Sequence, residues 1–174
     1  MWVRDNEPDV WDRVRSFCVA KDYIVLRLTG RLATDRSDAS GTNAYDQLAR
    51  RWSPDVLAAA ALDPALFPEI VDSTTVVGTL TPDAASALGL PKTVQVVMGG
   101  GDGPMAAVGS GIVSPDDGAY VCLGTSSWIS FASAEPLHDP LLRTFTFDNV
   151  VPGGFVPTAT MQAGGASVQW IAEA

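Results

Sequence analysis

With 174 residues, 47% of them hydrophobic, the chain is long enough for one ordinary domain or two small halves and has ample apolar side chain for a core. A formal net charge of −9, with 11 scattered Lys and Arg residues, argues against a nucleic-acid partner, because that binding rests on clustered cations. No apolar run reaches the roughly 18–20 residues of a membrane helix, and residues 2–8 lack the basic-then-apolar plan of a signal peptide, so a cytoplasmic protein without a membrane partner is expected.

Val10, Trp11, Val14, Phe17, Cys18, Tyr23 and Leu26 recur at roughly the helical period, which predicts one or two helices over residues 9–28 with Gly30 as the stop. Residues 33–42 are crowded with Thr, Asp, Ser and Gly, side chains that bond their own backbone, so an ordered loop is expected. A helix follows over residues 44–52, and a second over 54–61 has Ser53 as its cap and Pro54 at its first position. Pro64, Pro68 and the β-branched residues 74–77 predict loop and a short extended segment; Thr81-Pro82-Asp83 opens a helix that ends at Gly89.

Residues 94–98, Val-Gln-Val-Val-Met, lie between Pro91 and three glycines and suit a buried strand of an α/β sheet. The small apolar residues 105–111 suit a helix packed on it. After the turn-forming residues 114–118, strands over 119–123 and 128–132 flank Gly124-Thr125-Ser126-Ser127 as a hairpin. An extended segment over 154–162 precedes a helix from about Ala166. The sequence stops inside that helix, so the chain is expected to be a fragment of a longer one. Cys18 and Cys122 have no metal or redox spacing and sit among apolar neighbours, so both are expected to be buried thiols. His138 reads as a surface residue, the five tryptophans as packing residues, and no metal-ligating set is assigned.

Gly99-Gly100-Gly101-Asp102-Gly103 carries the most chemical information. Glycines allow close backbone approach to a ligand, and they put Asp102 at the carboxyl end of a strand, where open α/β sheets keep their ligand crevices. The following helix N-terminus favours the ionised carboxylate, the form a general base needs. Asp is equally a preferred helix cap, so both roles stay open here. Gly124-Thr125-Ser126 can offer N–H groups and hydroxyls to phosphate without a lysine, or be a plain hairpin turn. The aspartates of Asp35-Arg36-Ser37-Asp38 could hold a sugar, or only close Asx turns.

In this order the phrases Lys21-Asp22-Tyr23-Ile24 with Leu28-Thr29-Gly30, Ser37-Asp38-Ala39-Ser40-Gly41-Thr42, Gly99-Gly100-Gly101-Asp102 and Leu123-Gly124-Thr125-Ser126 resemble the FGGY family of carbohydrate kinases, from about Trp2 to the end. The resemblance implies a ribonuclease-H-like fold of the actin and hexokinase type, with two domains closing over sugar and Mg-ATP. Residues 1–113 would be the latter part of the first, sugar-binding domain and residues 114–174 the opening of the second, ATP-binding one. It implies Asp102 as the base that activates a sugar hydroxyl, with Gly101 and Gly103 beside the substrate, and Gly124, Thr125 and Ser126 against the ATP phosphates. D-xylulose is the first candidate substrate, with ribulose, gluconate, glycerol or a tetritol as alternatives; the rival class is a noncatalytic ligand-binding or self-associating module. Gly103 stands where this family usually has Asn or Gln, and Ser127 where it usually has Gly. The Asp-x-Gly-Thr phosphate loop, the earlier sugar-contacting segment and the adenosine-binding glycines are absent, so these residues alone are expected not to phosphorylate sugar, and the apolar surface of a severed domain could pair two copies.

Overall fold

The computed structural model describes residues 1–174, and the chain divides into two units, Met1–Gly99 and Gly100–Ala174. In the first, α1 (Trp2–Asn6) and α2 (Pro8–Trp11) precede α3 (Ala20–Thr29). Gly30 ends α3 in the left-handed conformation at φ 77°, its N–H donating to the Leu26 carbonyl at 2.7 Å, as a helix stop requires. Met98, Val25, Ala33 and Val77 form the buried centre of this unit.

Residues 33–42 are more ordered than the loop expected of them. They hold β1 (Ala33–Asp35) and α4 (Arg36–Ser40), and the Asp35 carboxylate accepts from the Ser37 N–H at 2.9 Å. The side chains that suggested turns act here as a helix cap, which uses the same local bonding. β1 pairs in parallel with β4 (Glu69–Val71). The helix expected over residues 44–52 is absent: β2 (Tyr45–Asp46) and β3 (Arg51–Trp52) pair antiparallel instead. The Asp46 carboxylate captures the N–H groups of Leu48 and Ala49 at 3.0 and 2.9 Å, and Asn43 and Arg50 take left-handed φ of 58° and 53°. Both features close a turn and interrupt helical bonding.

α5 (Pro54–Ala59) starts on Ser53 as expected. β5 (Val76–Thr79) pairs antiparallel with β6 (Gln95–Val97), joined through α6 (Pro82–Leu88), which Thr81 caps and Gly89 ends at φ 67°. β6 is not the buried strand its apolar composition suggested. Gln95 and Val97 are exposed, and burial is concentrated at Met98, because this two-stranded ribbon meets α3 on one side and lacks layers on both.

In the second unit, α7 (Asp102–Gly109) is followed by β7 (Ala119–Leu123), β8 (Ser127–Phe131), β9 (Thr144–Asp148), β10 (Phe155–Met161) and α8 (Gly164–Glu173). The strands form one antiparallel sheet in the order β7-β8-β10-β9. The expected hairpin is its β7–β8 edge; β9 is an addition. Ala107 and Ile112 pack with Ala132 and Val156, so α7 covers one face of the sheet. On the other face Val121, Leu123, Ile129 and Met161 are exposed, as are Val168, Trp170 and Ile171 of α8. Between α7 and β7 the Asp117 carboxylate accepts from the N–H groups of Val113 and Ser114, which holds its carboxyl below the usual range.

Both cysteines depart from expectation. Cys18 is exposed in the loop before α3, and Cys122 is half-buried on the edge strand β7. Apolar neighbours in sequence do not bury a residue that sits in an open loop or at a sheet edge. No helix is long and apolar enough to cross a membrane.

Candidate active site

Gly101, with φ −60° and ψ 150°, occupies the N-cap position of α7, and Asp102 is the first residue inside the helix. No side chain caps this helix, so the alternative of Asp102 as an N-cap does not hold. Its exposed carboxylate accepts from the Gly103 N–H at 2.7 Å, and it sits where the helix dipole favours negative charge.

Asp102 and Gly103 form one wall of a cavity of about 380 Å³. The cross-strand register explains the opposite wall: Tyr120, Ser130, Thr158 and Phe145 fall in one row across the four strands, and Trp128 and Thr160 in the next. Phe147, and Ala106 of α7, complete the lining. Side chains alternate faces along a strand, so every second residue of each strand looks toward α7. The Trp128 Nε1–H donates to Tyr120 Oη at 2.9 Å, Tyr120 Oη lies 3.5 Å from the Gly103 carbonyl, and the hydroxyls of Ser130 and Thr158 bond each other at 2.8 Å. The Phe145 and Phe147 rings meet edge to face at 4.9 Å between centroids. Chemically, the cavity combines one carboxylate, several hydroxyls and aromatic faces, a set suited to a polyhydroxy ligand.

Of the residues singled out from sequence, Asp102 and Gly103 line this cavity and Gly101 does not, being the N-cap of α7, and the strand wall was missed. The period-two alternation of residues 119–123 and 127–131 would have put Tyr120 with Cys122 and Trp128 with Ser130. It could not reveal which strands were neighbours, or that β9 brings Phe145 and Phe147.

Gly124, Thr125 and Ser126 form the β7–β8 turn, with the Gly124 N–H donating to the Ser126 carbonyl at 2.9 Å; Gly124 and Thr125 are exposed. The start of α8 docks on this turn, Gly165 N–H to the Gly124 carbonyl at 2.9 Å and Ala166 N–H to that of Thr125 at 3.2 Å. A Cβ at Gly165 would strike the Gly124 carbonyl oxygen, and one at Gly164 would strike Ser127 Oγ, a buried hydroxyl without a hydrogen-bond partner. The fit leaves room only for glycine at both positions, and it absorbs the serine at 127. Gly165→Ala meets backbone that cannot swing aside, so it should lower stability by about 1–3 kcal/mol. Thermal unfolding checks this, and Ser126→Ala in the same turn should do far less.

The Asp35–Asp38 segment is occupied structurally. Lys21 Nζ lies 2.9 Å from Asp22, 3.1 Å from Asp35 and 3.5 Å from Asp38, and both Asp22 and Asp35 are buried. Asp35 Oδ1 faces the Lys21 ammonium, while Oδ2 accepts from the Ser37 N–H and hydroxyl and from the Ser73 hydroxyl. The Ser73 carbonyl in turn accepts the Gly99 N–H at 2.9 Å, with Gly99 at φ 74° beside the Lys21 stem. This network anchors the first glycine of the turn that leads to Asp102. No group of three or more His, Cys, Asp or Glu side chains is placed to hold a metal.

Residues 1–109 match the N-terminal domain of the FGGY family of carbohydrate kinases. The chain is 34% identical over 173 residues to a xylulose kinase of Lactococcus lactis, covering 99% of this chain and 34% of that protein. It is 34% identical over 174 residues to a xylulose kinase of Escherichia coli, covering 99% of this chain and 35% of that protein. The crystal structure of xylulose kinase from Rhodospirillum rubrum superposes with a TM-score of 0.91 at 31% identity, over 99% of this chain and 35% of that one. The chain thus spans about a third of the length of these relatives. With the family match over more than half its length, and a fold shared nearly end to end with a solved kinase, the chain belongs to the FGGY family of carbohydrate kinases.

Proposed function

We propose that these residues form part of a longer ATP-dependent sugar kinase, with D-xylulose as its substrate, in which Asp102 removes the proton from the attacking hydroxyl. The observation that carries this reading is the exposed Asp102 carboxylate in a cavity whose strand wall presents hydroxyls and aromatic rings. Phosphoryl transfer depends mainly on positioning and on charge stabilisation, so a fixed base beside a bound polyol is the part that this chain supplies. We assign Gly124, Thr125 and Ser126, backed by the start of α8, to the ATP phosphates. Magnesium would travel with those phosphates, since it keeps several waters and takes few protein ligands. Residues 1–113 are assigned to the first domain of the kinase and 114–174 to the second. The family match through residue 109 supports that assignment, although α7 packs on the sheet of the second unit.

A ligand that binds only the folded chain raises its stability by RT ln(1 + [L]/Kd), about 1.4 kcal/mol at ten times Kd. D-xylulose should therefore raise the unfolding temperature of the chain by a few degrees, and Asp102→Ala should remove the shift. A rival noncatalytic module predicts no response to sugar or nucleotide at any concentration. Phosphate transfer by the isolated 174 residues at ordinary kinase rates would refute the proposal that the active enzyme is longer.

A further inference from the structure

Tyr120 stands out on the cavity wall because its hydroxyl has one close partner and one distant one. The indole N–H is a donor and never an acceptor, so in the 2.9 Å bond from Trp128 Nε1 the Tyr120 oxygen accepts and its own proton points elsewhere. The Gly103 carbonyl that could take that proton is 3.5 Å away, well beyond the 2.5–3.0 Å of a well-formed O–H···O bond. The proton is thus poorly used within the chain, on the lining of the cavity that Asp102 also lines. The remaining lining is neutral: Ser130 and Thr158 bond each other, Phe145 and Phe147 offer ring edges and faces, and no Lys, Arg or His takes part. Arg143, one residue before β9, is held in a fork by Asp139 at 2.8 and 3.1 Å.

We propose that Tyr120, its oxygen fixed by Trp128, selects the ligand of the Asp102 cavity by donating its hydroxyl proton to a neutral polyhydroxy compound, and that the cation-free wall rejects sugar acids. The inference rests on the reading of Asp102 as the base beside a bound sugar. A polyol hydroxyl can accept from Tyr120 and donate to Asp102 at once, satisfying both groups. A sugar acid would bring a second carboxylate toward Asp102 with no counter-charge, and like charges that close disfavour one another.

The test uses the chain itself, isotopically labelled, with the Trp128 indole N–H resonance as the readout and xylitol, D-xylulose and D-gluconate as probes. Xylitol and D-xylulose should move that resonance to saturation, and D-gluconate should need at least about tenfold more. Tyr120→Phe should weaken xylitol about fivefold to tenfold, the size of one hydrogen bond. Asp102→Asn should narrow the gap between gluconate and xylitol. If Tyr120→Phe binds xylitol as wild type does, or if gluconate matches xylitol in wild type, the inference is overturned while polyol binding stands. If no probe binds at all, the reading of the cavity as a sugar site falls with it. If Tyr120→Phe does not fold, Trp128→Phe read on the Gly103 amide carries the same comparison: weakened xylitol supports the inference and unchanged xylitol overturns it.

Discussion

In the longer kinase proposed above, Asp102→Asn should lower turnover about a hundredfold or more while ATP binds with unchanged affinity. Asparagine keeps the shape and the first-turn position of residue 102 in α7 but cannot accept the hydroxyl proton, so the loss belongs to the chemical step. The carboxylate is exposed and its one hydrogen bond within the chain, from the Gly103 N–H, can be kept by the asparagine amide oxygen, so the exchange should leave the unfolding temperature nearly unchanged. Steady-state turnover measured beside equilibrium ATP binding separates the two. Unchanged turnover would dismiss Asp102 as the base, and a large loss of stability would return it to a structural role.

Lys21→Met should be the most damaging single change to folding, costing the unit of residues 1–99 about 3–5 kcal/mol. The ammonium holds Asp22 and Asp35, which are 1% and 0% exposed, and methionine would leave both charges buried without it. Chemical denaturation of the two proteins measures the difference. The same network sets a pH dependence. Burial alone pulls the Lys21 ammonium down, but Asp22 and Asp35 overcome it and hold the group above its ordinary 10.5. Its contribution is fully present below about 10.5 and is lost as pH rises through the folded value, so unfolding temperature should fall on the alkaline side. For Asp38, burial and then Asp35 and Asp22 push the carboxyl up against the pull of Lys21. Folding thus disfavours the charged form of Asp38 relative to the unfolded chain, so Asp38→Asn should be tolerated at neutral pH where Lys21→Met is not.

What the residues revealed in advance follows from the range of the forces involved. Gly30 and Gly89 as helix stops and the helix openings at Ser53 and Thr81 all depend on bonds within a few residues, and each was legible, whereas α7 begins at Asp102, three residues before the helix expected over 105–111. Residues 44–52 failed because Asp46 bonding to Leu48 and Ala49 outweighed a weak helical pattern. The cavity wall was illegible for another reason. Tyr120, Ser130, Thr158 and Phe145 share a row only through strand register, which local pattern does not determine. Lys21 likewise meets Asp35 and Asp38 through tertiary packing, so a phrase noted for its family likeness gave no hint of an ion network. Gly164 and Gly165 lay in plain view, but their need for glycine comes from Ser127 and Gly124, about forty residues earlier in the chain.

The most direct measurement is a crystal structure with D-xylulose bound. The account expects a sugar hydroxyl oxygen within about 3 Å of the Asp102 carboxylate, inside the cavity walled by Tyr120 and Trp128. Sugar seated elsewhere, with the Asp102 carboxylate touching no part of it, would contradict the assignment.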